Sequence, residues 1–283
     1  MTIIAFVGSV FSPYYAWARR TTRPPQVVDP EHYCCLNVAL YSKAAPRWAM
    51  TERGASHSHR TADRFVIGPS QLEWDGQALH IHINETAVPW PRPIKGRVSV
   101  FPTQLFDFST PLDAQARHHW GPIAPHARVE VQLQQPQQSW SGQGYLDSNE
   151  GTEPIDLPFK EWDWSRSVLQ DGSVAVLYDV QAHQGADHLL ALKFCPDGQV
   201  LSFDAPPRQI LPRTAWGMAR RMRSEGPVKV QHQLEDAPFY QRSVIQSRLL
   251  GEPVVSFHET LHTGRLVLPV VQAMLPFRMP RRS

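Results

Sequence analysis

Proline is the feature of this sequence that most constrains its fold. The chain has 26 prolines and 16 glycines in 283 residues, spread along its whole length. Because a proline inside an α-helix costs about 3 kcal/mol, long helices are disfavoured throughout. The prolines fall between short runs with apolar residues at alternate positions, a pattern typical of strands. The sequence therefore predicts an all-β fold with proline-containing connections.

Strand-like runs recur in both halves of the chain. They cover residues 64–68, 78–84, 96–101, 127–133, 174–180, 189–194 and 228–234. The window 215–224 fits an amphipathic helix and, equally well, a strand whose arginines point outward. A polar, proline-containing segment at 148–158 interrupts the pattern. We therefore predict two domains, residues 1–152 and residues 153–283.

Charge and cysteine content narrow the class of protein. The chain has 28 basic and 26 acidic residues, and a nucleic-acid partner is not expected, because binding phosphates requires clustered excess Lys and Arg. The cysteines, Cys34, Cys35 and Cys195, form neither a disulfide framework nor a metal-binding pair, which favours a reducing compartment. Residues 1–10 are apolar but lack a preceding basic segment and are too short to span a bilayer. We expect a cytosolic chain.

One short run suggests metal ligands. His80 and His82 are two residues apart, share one face of a strand, and are followed by Glu85. Two histidines and a carboxylate are a ligand set for a cupin-type metal; hydrogen-bonded or solvent-facing histidines are the ordinary alternative. No second motif downstream supplies a remaining ligand, so we expect no bound metal.

A second region, residues 118–164, combines aromatic rings with acidic and imidazole groups. In an extended chain His118 and Trp120 share one face, as do Tyr145 and Asp147, because side chains alternate with a period of two. If both pairs faced one cavity, they would bring together a carboxyl, a phenol, an imidazole and an indole. An ordinary aromatic core is the alternative interpretation.

Several longer motifs occur between about residue 7 and residue 282: residues 7–19 (VGSVFSPYYAWAR), 36–41, 48–54, 118–131, 142–151 (GQGYLDSNEG), 159–167 (FKEWDWSRS), 234–243 and 274–282. Together these motifs resemble one family, the carotenoid 1,2-hydratases, also called hydroxyneurosporene synthases.

This resemblance implies a hydro-lyase of purple-bacterial carotenoid biosynthesis. Such an enzyme adds water across the terminal C1–C2 double bond of acyclic carotenes such as neurosporene or lycopene, and yields the tertiary alcohol at C1. The resemblance further implies that no cofactor takes part, and that the fold is two consecutive lipocalin-like (calycin) β-barrel domains packed together.

The same resemblance assigns the catalytic residues. The family's catalytic acid falls on Asp147, with Tyr145 beside it, and the family's histidine–tryptophan element falls on His118 and Trp120. The doubled His118-His119 leaves open which histidine faces the site, and the two-residue spacing to Trp120 favours His118.

Hydration of an alkene explains why these residue types are needed. Protonation at C2 produces a tertiary cation at C1, so the acid must hold a proton near neutral pH. Burial among aromatic rings raises the pKa of a carboxyl. The π face of Trp120 is suited to stabilise the cation, while His118 is a base for the water and Tyr145 positions it.

Further candidates for substrate binding lie mostly in motifs that the family shares. A structural role in salt bridges or hydrogen bonds is the alternative for the charged ones. These candidates are Trp140, Trp162, Glu52, Arg53, His258 and Glu259.

The implied substrate also predicts where the enzyme works. An acyclic carotene partitions into bilayer hydrocarbon, which is roughly 30 Å thick. We expect a cytoplasmic protein attached peripherally to the inner photosynthetic membrane, with residues 276–282 (PFRMPRR) as one contact. Other enzymes of the carotenoid pathway are candidate partners.

Three other functions remain open at this point. A lipocalin-like carrier would bind an apolar polyene without changing it, although a buried acidic group is costly in a pure binding pocket. A pericyclase on the same scaffold and a cupin-like metalloenzyme that uses His80 and His82 are the other two.

Overall fold

The computed structural model describes residues 1–23 and 26–282. Most of these residues form antiparallel strands, which confirms the predicted all-β class. The described helices are α1 (Pro13–Thr21), α2 (Thr263–Leu266), α3 (Pro269–Arg278) and two short 3₁₀ helices, Pro30–Tyr33 and Ala55–His57.

The strands are numbered in chain order. The first eleven are β1 (Thr2–Phe6), β2 (Cys34–Leu40), β3 (Arg47–Arg53), β4 (Ser58–Arg60), β5 (Arg64–Ile67), β6 (Ser70–Trp74), β7 (Leu79–Thr86), β8 (Pro93–Pro102), β9 (Thr110–Pro111), β10 (His118–Gln135) and β11 (Gln137–Gly151). The others are β12 (Phe159–Val168), β13 (Val174–Ala182), β14 (His188–Phe194), β15 (Val200–Ser202), β16 (Arg208–Leu211), β17 (Arg220–Arg223), β18 (Lys229–Asp236), β19 (Tyr240–Leu249), β20 (Glu252–His262) and β21 (Arg281–Arg282).

All seven predicted strand runs overlap an observed strand: β5, β7, β8, β10, β13, β14 and β18. The ambiguous window 215–224 contains strand β17, so the strand interpretation is confirmed for its second half. The expectation that its arginines point outward is wrong for Arg220, which is buried and bonded to Gln241 and Ser243.

Contacts divide the chain into two compact units. The first comprises Met1–Thr103, Ala127–Gly144 and Pro269–Ser283, and the second comprises Gln104–His126 and Tyr145–Leu268. Both units are discontinuous in sequence. The predicted boundary after residue 152 concerns domains that fold on their own, and it stays a prediction.

The first unit is built from two antiparallel arrangements. Strands β1, β2 and β3 pair in order, and β21 joins β3 in parallel. Strand β2 is buried along its whole length. A second sheet runs β11-β10-β8-β7-β6-β5-β4, with β9 on β10; its members are mostly consecutive strands joined by turns.

The second unit contains a seven-stranded antiparallel sheet in the order β15-β14-β13-β12-β20-β19-β18 and the hairpin β16-β17. It also contains residues 118–126 of β10 and 145–151 of β11. Among the described residues none of the sheets closes on itself.

Register gives the seven-stranded sheet two faces of different chemistry. Opposite Trp164 of β12 lie Tyr178 and Glu259, and directly opposite residues share a face. We call this side, which also carries Trp162 and Arg166, the aromatic face. The other side, the polar face, carries the intervening residues: Glu161, Asp163, Asp179, His258 and Thr260.

Within residues 1–23 and 26–282, no helix has both the length and the apolar character needed to cross a membrane.

Candidate active site

Asp147 and Trp120 meet through a hydrogen bond. The indole Nε1–H of Trp120 donates to Asp147 Oδ2 at 2.9 Å. Trp120 is buried and Asp147 is half-buried. The two residues lie on β10 and β11, which are neighbouring strands of one sheet. Alternation places His118 on the same strand face as Trp120, and Tyr145 on the same strand face as Asp147.

The carboxyl of Asp147 holds its proton unusually strongly. Burial raises its pKa to about 6, and the negative charge of Glu259 adds to that rise. The Trp120 hydrogen bond, the Tyr145 hydroxyl and the charge of Arg166 act in the opposite direction and do not cancel it. With a pKa of about 6, roughly a tenth of the Asp147 carboxyls still hold their proton at pH 7.

Tyr145 lies beside this acid. Burial raises the pKa of Tyr145 well above its usual value, and the charge of Asp147 raises it further. Within the described part of the chain the buried Tyr145 hydroxyl has no partner at full hydrogen-bond geometry, although it lies close enough to the Asp147 carboxyl to act on its pKa. Its ring lies 5.6 Å from the ring of Trp164 and beneath the guanidinium of Arg166, with Cζ at 5.0 Å.

Aromatic side chains extend the site along the sheet. The ring of Trp120 lies 5.7 Å from that of Tyr178 and 6.3 Å from that of Phe194, both in edge-to-face geometry. Tyr178 in turn contacts Trp162 at 6.0 Å, and Trp162 contacts Phe159 at 5.7 Å. We call these residues the aromatic cluster: Trp120, Tyr145, Phe159, Trp162, Trp164, Tyr178 and Phe194.

Two charged groups on the aromatic face complete the site. Arg242, itself buried, donates through Nε to Glu259 Oε1 at 2.8 Å. Arg166 is desolvated, which lowers its pKa, while Tyr145, Asp147 and Glu259 act to raise it. The sequence analysis did not single out Arg166, although it follows Trp162 and Trp164 at the same two-residue spacing. Tyr178 was also missed, because it lies in a continuous apolar run without alternation.

His118 sits at the far end of the aromatic cluster. Its ring contacts Phe159 edge-on at 4.9 Å, and its Nε2 lies 3.9 Å from Glu153 Oε1. Burial lowers the pKa of His118, so the ring is neutral near pH 7. Among the described residues Nε2 accepts or donates no hydrogen bond. Gly151 leaves room for the ring, since a Cβ there would lie 2.4 Å from Nδ1.

The other histidine candidate, His258, lies on the polar face. Its Nε2 donates to the Arg221 carbonyl at 2.8 Å and lies 3.7 Å from Asp163 Oδ1. Burial lowers the pKa of His258 to about 3. Because His258 and Glu259 are consecutive in a strand, only Glu259 faces the aromatic cluster.

Three further candidates belong to the first unit and not to this cluster. Trp140 is exposed on β11. Glu52 is buried and bonded to Arg281, and Arg53 is buried with Nη2 3.3 Å from Glu85 Oε2. The contacts of Glu52 and Arg53 are the salt bridges that the sequence analysis gave as their alternative role.

The possible metal ligands do not converge. The ring of His80 bonds to Asp75 Oδ2 at 2.8 Å and to Ser99 Oγ at 3.0 Å. Glu85 points to the opposite, buried side of β7, where Arg53 pairs with it. His82 lines an open cleft of about 950 Å³ in the first unit, which holds no member of the aromatic cluster. Strand alternation separates the carboxylate from the histidines.

The fold and the site together define an antiparallel β protein with a carboxyl of raised pKa beside a cluster of aromatic rings. Residues 3–283 match the model of the carotenoid hydratase CrtC family. The acyclic carotenoid 1,2-hydratase of Rubrivivax gelatinosus is 54% identical over 285 residues, which cover 100% of this chain and 70% of the relative.

A second relative matches over nearly its full length, and one solved structure shares the fold. The acyclic carotenoid 1,2-hydratase of Rhodobacter capsulatus is 38% identical over 99% of this chain and 98% of its own. A solved structure from Nitrosomonas europaea, named AttH, has a TM-score of 0.61 and 15% identity, and covers 85% of this chain and 83% of that one. The chain belongs to the carotenoid hydratase family.

Proposed function

We propose that this chain is an acyclic carotenoid 1,2-hydratase, a hydro-lyase that adds water across the terminal C1–C2 double bond of carotenes such as neurosporene and lycopene. The observation that carries the proposal is the Asp147 carboxyl, whose pKa is raised to about 6 at the edge of the aromatic cluster. Membership of the carotenoid hydratase family supports it independently.

Asp147 is the general acid in the first step. Its Oδ2 accepts the Trp120 N–H, so Oδ1 is the oxygen that carries the acidic proton. The π electrons of the C1–C2 bond take this proton at C2, which forms a C–H bond and leaves a carboxylate on Asp147 and a tertiary cation at C1. The indole hydrogen bond then stabilises the carboxylate, because a bond to the charged form favours that form.

The aromatic cluster stabilises the cation. Rings of Trp120, Tyr178 and Trp162 present electron-rich faces, and a desolvated cation–π contact is worth about 2 kcal/mol. The Glu259 carboxylate supplies a negative charge on the same side of the sheet. Its pairing with Arg242 fixes its position.

Water completes the reaction. Its oxygen bonds to C1, the proton that the water loses passes to His118, and the transfer of one proton from His118 to the Asp147 carboxylate restores both groups. The Tyr145 hydroxyl, buried beside Asp147 without a partner at full hydrogen-bond geometry in the described residues, positions this water. His118, neutral and with an unpartnered Nε2 among those residues, is the proposed base. Trp162 contributes to substrate binding.

The carrier, pericyclase and metalloenzyme alternatives are less well supported. A carrier would gain nothing from a carboxyl placed beside aromatic rings, because burying a polar group costs free energy and binding an apolar polyene does not require one. For a metalloenzyme, His80 and His82 would need a carboxylate on their own face of β7, and Glu85 faces the other way.

At the level of fold, the two sheets would correspond to two lipocalin-like barrels. What supports this is their topology: seven antiparallel strands in each linear order, mostly joined to their sequence neighbours, as in up-and-down barrels. An experimental structure with closed hydrogen-bonded sheets would bear this out, and open sheets would reject it.

The chain works at a membrane surface, where other carotenoid-pathway enzymes would supply and take up the carotene. The support is chemical, because the substrate dissolves in hydrocarbon and not in water. The predicted cytoplasmic location and peripheral attachment follow from the same property. Release by salt is the expected behaviour, and extraction only by detergent would contradict it.

A direct test uses purified protein, lycopene or neurosporene in lipid dispersion, and heavy water under anaerobic conditions. The expected product has gained one water and carries one non-exchangeable deuterium at C2, as mass spectrometry would show. Stoichiometric binding without product would favour the carrier. A hydrated product without deuterium at C2 would reject protonation there.

A further inference from the structure

Helix α3 of the first unit turns an apolar face to solvent. Its exposed apolar side chains follow the spacing i, i+3, i+4 and i+7, and we call them the α3 stripe: Val270, Ala273, Met274 and Phe277. Phe277 is 80% exposed and Val270 63% exposed. In a helix of a globular protein this spacing normally marks the buried side. Here a different pair, Val271 and Leu275, is buried, so α3 is apolar on two sides.

Helix α1 of the same unit lies beside α3. The guanidinium of Arg20 donates to Gln272 Oε1 at 3.4 Å. Trp17 precedes Arg20 by three residues, so both project from the same face of α1. Trp17 is 68% exposed, which adds a large aromatic ring to the apolar surface. Tryptophan is a residue that prefers the boundary between hydrocarbon and water.

The charge around these helices has one sign. Residues 13–23 and 269–282 contain no acidic residue and six arginines: Arg19, Arg20, Arg23, Arg278, Arg281 and Arg282. Arg281 pairs with the buried Glu52. Arg20, Arg23, Arg278 and Arg282 are exposed. The whole chain carries a net charge of only +2, so this concentration of positive charge is local.

We propose that the α3 stripe, with Trp17 and the surrounding arginines, is the surface by which the protein docks on an anionic lipid bilayer. An apolar helix face flanked by arginines fits an interface whose interior is hydrocarbon and whose headgroups are negative. Arginine side chains can reach the headgroups while their stems lie along apolar surface. The proposal rests on the proposed function, in which the substrate is extracted from hydrocarbon.

Vesicle flotation tests this surface. The full chain is expected to float with phosphatidylcholine vesicles that contain phosphatidylglycerol, and to bind less at high salt and on phosphatidylcholine alone. Met274→Ser combined with Phe277→Ser is expected to weaken binding by about tenfold or more, because two apolar side chains no longer enter the bilayer. Arg20→Gln with Arg23→Gln should weaken binding and flatten its salt dependence.

A matched control is available in the same unit. Trp90 is 74% exposed and lies outside both helices, so Trp90→Ser should float like the unaltered protein. Thermal unfolding of each variant shows that it is folded. Equal flotation of the Met274/Phe277 variant and the control would overturn the proposal. So would a change of oligomeric state without a change in flotation, which would make the stripe a contact between copies of the chain.

Activity on carotene dispersed in detergent separates this proposal from the proposed function. The Met274/Phe277 variant should hydrate detergent-dispersed carotene at the unaltered rate and lose rate only with vesicles. A chain that hydrates carotene but does not float overturns the docking surface alone. A chain that floats but never hydrates leaves the docking surface supported and overturns the proposed function.

Discussion

Each face of the seven-stranded sheet interacts with one aspartate of raised pKa, and the two aspartates have different surroundings. Asp147, which interacts with the aromatic face, receives a hydrogen bond from Trp120 and is influenced by the Tyr145 hydroxyl and by the charges of Glu259 and Arg166. Asp163, on the polar face, receives the Thr260 hydroxyl at 2.5 Å and lies 3.7 Å from His258. Burial raises the pKa of Asp147 to about 6 and that of Asp163 to about 7.

This difference teaches that a raised pKa does not by itself identify a catalytic acid. Asp163 holds its proton at least as strongly as Asp147, but polar groups and the β16–β17 hairpin cover its face. Arg208 and Arg223 of that hairpin bind the neighbouring Asp179. Of these two aspartates, only Asp147 combines a raised pKa with contacts to aromatic rings, and this is why we propose Asp147 as the acid.

The most direct test of this difference is to remove the acidic proton from Asp147 and, separately, from Asp163. Asp147→Asn should lower the hydration rate by about 10²–10⁴-fold, the usual contribution of a general acid. Asp163→Asn keeps an acceptor for Thr260 and should leave the rate within about threefold, since it is not on the aromatic face. Single-turnover assays on folded variants measure both. Near-normal hydration by the Asp147 variant would reject its role.

Trp120 offers the next largest effect. Trp120→Phe keeps a ring but removes the N–H that favours ionised Asp147, so the pKa of Asp147 should rise and the high-pH limb of the rate profile should move to higher pH. The weaker π face should also cost about tenfold in rate. Trp162→Phe is the matched control, because Trp162 makes no such bond. If the hydration rates of Trp120→Phe and Trp162→Phe fall at the same pH, the indole hydrogen bond does not influence the pKa of Asp147.

Substitutions on the polar face should lower the free energy of unfolding and leave the hydration rate unchanged. Burial alone would raise the pKa of Asp179, but hydrogen bonds from Arg208 and Arg223 outweigh burial and hold it below its usual value. Asp179→Asn leaves both guanidinium groups without their carboxylate and should lower the free energy of unfolding by about 1–3 kcal/mol. Asp171→Asn, in an exposed pair with Lys193, should cost less than about 1 kcal/mol. Equal losses in denaturant titrations would contradict this.

The smallest expected effect is the pH dependence of stability. The folded-state pKa values of Asp147 and Asp163 exceed the ordinary value of 3.8, so these two groups bind more protons in the folded state between about pH 4 and pH 7. Their contribution to the free energy of unfolding should therefore fall as the pH rises through this window, whereas the buried His258, whose pKa is lowered to about 3, contributes in the opposite direction. The variant Asp163→Asn isolates the contribution of one carboxyl. At pH 8, Asp163→Asn should be more stable than the unaltered chain by about 1 kcal/mol after local relaxation. If Asp163→Asn were less stable than the unaltered chain at pH 8, the predicted direction of this effect would be wrong.

Strand alternation explains how much of the site could be predicted. The pairs His118–Trp120 and Tyr145–Asp147 follow from period two, and the same rule applied to FKEWDWSRS would have added Arg166. It would also have shown that His258 and Glu259, or Glu52 and Arg53, cannot share a face. Register is different: the pairing of Trp164 with Tyr178 and Glu259 depends on contacts distant in sequence, which no local pattern contains.

The helices show another limit of what can be predicted from the sequence. Ser12 followed by Pro13 is a local signal for the start of α1, and Ser12 does accept from the Tyr15 N–H. At the position of α3 the sequence predicts only a membrane contact at residues 276–282 and no helix. Pro276 lies inside α3, where proline is normally disfavoured, and the apolar stripe is recognised only from its exposure in the structure.

The pH profile of the hydration rate tests the central claim most directly, with the unaltered chain and Asp163→Asn measured side by side. If Asp147 is the acid, the hydration rates of the unaltered chain and of Asp163→Asn should both fall above about pH 6, by about tenfold per pH unit and at the same pH. The rate of Asp147→Asn should show no such fall. A limb that moves or disappears in Asp163→Asn would place the acid on the polar face and contradict the account.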